Sequence, residues 1–203
     1  PLEFFRKRVF TVSIISTFLT AIGMFGAILF IPLFIQFVID TSATESGLVL
    51  MPMMLGMVVA SVISGLVMSR LRRYKFLAFL GIGTMGLGFY MLSRMGPDTT
   101  SAEAVRNMIL TGAGLGITFP LYLIAVQNAF DRSQLGAVTS ALQFFRGIGG
   151  VIGATAFGSV MTFRFKDEAE RLLKDIPDSV RSQISTEQLA SIVENPQALA
   201  SGI

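Results

Sequence analysis

Long stretches without a single charge constrain this chain more than any other feature. No Asp, Glu, Lys or Arg occurs at 9–39, 46–69, 76–93 or 107–130, and 133–163 holds one ion, Arg146. A helix needs roughly 20 apolar residues to cross a ~30 Å hydrocarbon core, so each gap suffices for one crossing. Splitting 9–39 or 133–163 would leave pieces too short to cross, which fixes the expectation at five spans. Only 14% of the 203 residues are charged, where a soluble chain has roughly a quarter. The runs are apolar on all faces rather than alternating with period two, which favours helices over a barrel. In lipid an unpaired backbone amide costs several kcal/mol, so helical hydrogen bonding is the only alternative to a closed barrel. The expectation is an all-α membrane protein with a bundle over 1–164 and spans at about 9–39, 46–69, 76–93, 107–130 and 135–163. Pro32, Pro52 and Pro120 fall inside these spans and predict kinks or local unwinding.

The residue inventory excludes most chemistry. There is no Cys, His or Trp, so disulfides, thiol nucleophiles, iron–sulfur clusters, the usual zinc sites and Ser-His-Asp machinery are ruled out. No metal, cofactor or enzymatic activity is expected. The net charge of +3 would suit nucleic acid, but the bases cluster beside apolar runs, which points to lipid headgroups and to no nucleic-acid partner. One set of bases holds Arg6, Lys7, Arg8, Arg70, Arg72, Arg73, Lys75 and Arg132, while the opposite short loops hold only Arg94 and Arg106. The positive-inside bias makes the first set cytoplasmic. That puts the amino end inside a cell membrane (plasma or inner) and the carboxyl end outside. The sequence starts at Pro1 without a signal-peptide pattern and reads as a fragment. From 165 to 203 the composition turns polar. Ala169, Leu172, Leu173 and Ile176 make a short apolar stripe ended by Pro177, Ser185 with Gln188 fits a capping box, and Asn195-Pro196 fits an N-cap followed by proline. This predicts an extracytoplasmic loop or tail with short helices.

Small residues recur at every fourth position: Gly56, Ala60 and Ser64 on the second span, Gly112 and Gly116 on the fourth, and Gly150, Ala154 and Gly158 on the fifth, where Gly153 adjoins them. Lipid tails are as apolar as leucine, so helices associate through close backbone approach, which small side chains permit. Thr139, Gln143 and Arg146 share one face of the fifth span. Arg146 lies about 16 Å along from Leu135 at the helical rise of 1.5 Å per residue. An arginine near mid-membrane costs about 2.5–3.5 kcal/mol on insertion scales and should face protein or water; the alternative is a snorkelling side chain that reaches the headgroups. Gln127 and Asn128 end the fourth span on the same side. Phe30, Phe34 and Phe37 share a face of the first span, and with 11 Met in the chain they suit an adaptable lipophilic cavity, although lipid-facing bulk would look the same. The translocation-pathway candidates are Phe34, Gln36, Gln127, Asn128, Thr139, Gln143 and Arg146. No Asp or Glu lies inside any span, so a proton-carrying acid would have to come from elsewhere.

The order of these features resembles the carboxyl-terminal half of the major facilitator superfamily, most like the fourteen-span drug:proton antiporter branch. The strings that carry the likeness are PLEFFRKRVF, IPLFIQFV, SATESGLVLMPMMLG, GAGLGITFP, QNAF and TSALQFFRGIGGVIG. The loop GLVMSRLRRYK resembles the family's cytoplasmic loop motif, with Gly65, Arg70 and Arg73 as gating or topology residues. It departs from that motif at Ser69, where an Asp would stand, and at Arg72, where a Gly would stand. The resemblance implies five helices of an incomplete six-helix half-bundle, with a missing amino-terminal half. It further implies proton-coupled export of a small lipophilic or cationic substrate by alternating access. A carrier of another solute on the same scaffold, or a non-transporting membrane scaffold, remains the alternative.

Overall fold

The computed structural model describes residues 2–38, 48, 50–70, 75–96 and 99–175, and no strand occurs among them. A 3-10 turn, Leu2–Arg6, leads into α1 (Arg8–Val38). Then follow α2 (Leu50–Arg70), α3 (Lys75–Ser93), α4 (Ser101–Gln127), a second 3-10 turn at Arg132–Gln134, and α5 (Leu135–Asp175). All 5 helices are long and apolar enough to cross a bilayer. The chain divides into two compact units, Pro1–Ala154 and Thr155–Ile203; the helical bundle is the first, and the described part of the second is the remainder of α5.

Two helix ends fall several residues outside the uncharged runs, each for a local reason. Helix α4 begins at Ser101, ahead of the run at 107, because Thr100 and Glu103 form a reciprocal cap: the Glu103 N–H donates to the Thr100 hydroxyl at 3.4 Å, and the Thr100 N–H donates to the Glu103 carboxylate at 3.1 Å. Two orphan amides are thereby satisfied and an acid sits at the positive end of the helix. Helix α5 does not stop with its apolar run near Phe163 but continues to Asp175. No Gly or Pro interrupts 164–175, and these polar residues are mostly good helix formers. Ala169, Leu172 and Leu173 lie on its last turns. Ile176, Pro177 and the helix signals at Ser185, Gln188 and Asn195-Pro196 lie outside the described residues. Helices α1 and α4 run without interruption through Pro32 and Pro120, and Pro52 is the third residue of α2.

Helix α4 is the most buried of the five and is the pivot of the bundle. A side chain at Gly112 or Gly116 would collide with the backbone carbonyl of Met53 or Met57 on α2, and one at Gly56 would lie 2.9 Å from the Ile109 carbonyl. A side chain at Gly88 would lie 2.8 Å from the Thr111 backbone nitrogen, and one at Gly114 would strike the backbone of Met85, so α3 also docks backbone to backbone. Helix α1 meets α5 in the same way: a side chain at Gly149 or Gly153 would come within 2.5 Å of the Phe18 or Ile22 carbonyl. Gly150 faces the Phe25 ring, and Ala60 and Ser64 are buried. Such contacts gain dispersion energy and weak Cα–H···O bonds, which matter most where no hydrophobic drive exists between helices. Buried hydroxyls on α4 and α2 return to their own helix: Thr111 donates to the Asn107 carbonyl at 2.9 Å, Thr118 to that of Gly114 at 3.0 Å, and Ser64 to that of Ser61 at 3.0 Å. They are therefore carried into an apolar core without an unpaired donor.

The entrance to α1 is clasped to the α4–α5 turn. Phe4, Phe10 and Phe130 pack edge to face with centroids 5.2–5.7 Å apart. Lys7 donates to the Ala129 carbonyl at 2.6 Å and lies 4.2 Å over the Phe130 ring. On the outside, α2 exposes Met51, Met54, Leu55, Val58, Val59, Val62, Ile63 and Leu66, and α3 exposes Phe76, Phe79, Leu80, Ile82 and Leu87. A surface this apolar is untenable in water and ordinary in lipid.

Candidate functional site

Where α1, α2, α4 and α5 converge, the bundle leaves a cavity of about 220 Å³. Its wall is built from Thr17 on α1, Met57 and Ser61 on α2, Gly116, Phe119, Pro120 and Leu123 on α4, and Leu142, Gln143 and Arg146 on α5. Local sequence explains the hollow. Gly116 offers no side chain, and Pro120 has no N–H to give the Gly116 carbonyl, its partner four residues back. The hollow is thus lined by a short bare stretch of backbone. The uncharged runs place this region well inside every helix.

Among the described residues of the wall, Arg146 is the only charged one and none is a carboxylate. Its guanidinium carbon lies 3.9 Å from the centroid of the Phe119 ring, a stacking worth about 0.5–2 kcal/mol depending on desolvation. That falls short of the roughly 2.5–3.5 kcal/mol for bringing an arginine to mid-membrane. Thr17 adds a second unmet demand: its side chain is 1% exposed, yet its hydroxyl has no hydrogen-bond partner. It belongs to a hydroxyl-bearing face of α1 on which Ser13 and Thr20 are also buried, and the Tyr122 hydroxyl of α4 lies within hydrogen-bonding reach of Thr20 and Ser16.

Of the pathway residues expected from sequence, Gln143 and Arg146 line this cavity. Phe34, Gln127, Asn128 and Thr139 do not. Phe34 packs against the buried cluster of Met24, Ile35 and Met53. Gln127 and Thr139 are half-buried, and Asn128 is exposed and caps α4 by donating its N–H to the Ile124 carbonyl at 2.9 Å. The Gln36 side chain lies outside the described residues, as does Arg73. Arg70 is exposed at the end of α2, and a side chain added at Gly65 would meet open space. Sequence reasoning missed Thr17, Ser61 and Phe119. The spacing of Ser13, Ser16, Thr17 and Thr20 was the available signal for the first; nothing marked the other two.

Comparison with known proteins adds an independent line. The family model described as Major Facilitator Superfamily matches residues 1–154. The multidrug transporter protein MdtP of Bacillus subtilis is 37% identical over 202 residues, covering 98% of this chain and 37% of that protein. Multidrug resistance protein 3 of the same species is 32% identical, covering 81% of this chain and 32% of its own length. The tetracycline resistance determinant of Streptomyces rimosus is 31% identical, covering 79% and 46%. The chain thus spans less than half the length of each of these relatives.

Proposed function

Because this chain belongs to the major facilitator superfamily, and is thereby a multi-pass membrane protein, we propose that it forms one wall of a secondary active transporter that exports lipophilic or cationic drugs. The carrier is not an enzyme. Its mechanism is alternating access: two bundles rock about a site near the midplane, and proton entry and substrate exit favour opposite states. This chain is the carboxyl-terminal half of the carrier, with its first described residues cytoplasmic and the end of α5 extracytoplasmic. The other wall and the proton-carrying acid come from the length that the relatives have beyond the matched region.

The observation that carries this reading is the cavity bearing Arg146, Gln143 and the unpartnered Thr17 hydroxyl. Intramembrane ions and polar groups are costly and mark solute pathways by default. Gln143 and Arg146 line the path, while Gly65, Arg70 and Arg73 serve the loop between α2 and α3 as gating or topology residues. A scaffold would use small-residue faces to hold other proteins. Here Gly112, Gly116, Gly149 and Gly153 are taken up by α2 and α1 of the same chain, which favours the carrier.

The test is efflux of ethidium from vesicles holding the gene's full product under an imposed pH gradient. Export that stops on addition of a protonophore is the expected result. Ethidium movement no faster than in empty vesicles, or indifferent to the gradient, rejects the reading.

A further inference from the structure

The cavity is chemically lopsided in a way that a general drug site need not be. Among the described residues its wall holds a cation and no acid, and its one fully buried hydroxyl has no partner. A lipophilic cation carried by the same protein would have to keep its charge away from this wall, where Arg146 presents like charge in a low-dielectric setting. An anion would meet a fork of N–H donors and, at Thr17, a further O–H donor. Beside these donors Met57, Leu123 and Leu142 supply an apolar floor. A void of roughly 150 Å³ holds a benzene ring, so about 220 Å³ takes one ring together with a small head group, and because the pocket is open on one side the rest of a larger amphiphile extends out of it.

We infer that this wall is the subsite for the acidic head of an aromatic amphiphile, a carboxylate or sulfonate held by Arg146 and Thr17 with its ring against Met57, Leu123 and Leu142. The inference rests on the carrier reading and sharpens it: the substrate range includes organic anions, and Arg146 is what admits them. Phe119 stacks on the guanidinium and acts as a positioning residue that holds the fork toward the cavity.

Two probes of similar shape test it: anilinonaphthalene sulfonate and uncharged phenylnaphthylamine. Both are titrated by fluorescence into nanodiscs of phosphatidylcholine holding the gene's full product, with empty nanodiscs subtracted. Hydrogen bonds to a charged group are worth about 1.5–3 kcal/mol, so Arg146→Gln should weaken the sulfonate probe about tenfold or more. Phenylnaphthylamine should change less than about twofold, and Thr17→Val should weaken the sulfonate about threefold, the scale of one ordinary hydrogen bond. Arg146→Lys, which keeps the charge but not the planar fork, should recover part of the loss, and unchanged phenylnaphthylamine binding serves as the control that the site folds. Equal losses for both probes in Arg146→Gln, or no loss for the sulfonate, overturn the inference; the first would mark Arg146 as a structural or coupling charge. Binding needs no gradient, so the two readings fail separately. Discriminating binding without gradient-driven flux rejects the exporter and keeps the subsite; gradient-driven flux without discrimination does the reverse.

Discussion

At the scale of single residues, the bundle rests on places where nothing larger than hydrogen fits. Gly116 is as sharp a case as Gly112, because a side chain there would meet the Met57 carbonyl, a backbone atom that cannot swing away. Overpacking of this kind costs typically about 1–3 kcal/mol. Gly116→Val should therefore lower the apparent melting temperature of the detergent-solubilised protein by several degrees, read by size-exclusion after heating. Gly65→Ala, which enters open space, should leave it unchanged. Arg146 makes the functional counterpart: in the complete carrier, Arg146→Ala should cut transport severalfold while surface level stays the same, and undiminished transport would remove it from the pathway. Arg146 and Gln143 were legible in the sequence because an ion inside a long uncharged run has few explanations. Thr17 was not legible, since a hydroxyl in a membrane helix normally bonds its own backbone, as Thr111 and Thr118 do here. Only three-dimensional packing shows that the Thr17 hydroxyl lacks such a partner.

At the scale of elements, the sequence located the helices through what they lack and misplaced their ends through what they contain. A gap between charges says where a chain can sit in hydrocarbon, whereas a helix ends where its terminal amides and carbonyls find other partners. Thr100 and Glu103 are polar, so they fall outside the run at 107–130, and they are also what starts α4. Thr100→Ala removes the acceptor for the Glu103 N–H and should cost about 1 kcal/mol. Faster amide exchange in the first turn of α4, with the α4 interior still protected, would register it. Unchanged exchange there would mean that the cap is dispensable. The clasp at the other end of the bundle, where Lys7 reaches the Ala129 carbonyl and Phe130, escaped sequence reading. It joins positions 122 apart in the chain, which no local pattern reports.

At the scale of the whole molecule, family membership and the apolar outer surface of α2 and α3 place these helices in a bilayer. The direction in which the chain threads it is proposed from the bases: Arg70 closes α2, whereas Arg94 follows α3 and Arg106 lies in the first turns of α4. If the bases set the threading, the end of α2 and the start of α4 lie on opposite sides, and the cavity that holds Arg146 sits between the leaflets. The chain has no native Cys, so single cysteines at Ser69 and Ser101, both exposed, can be labelled without interference from the rest of these 203 residues. In intact cells expressing the gene's full product, with any cysteines outside this region replaced, an impermeant maleimide should label Ser101→Cys and leave Ser69→Cys untouched until the membrane is opened. Labelling of both positions from the outside would contradict the account.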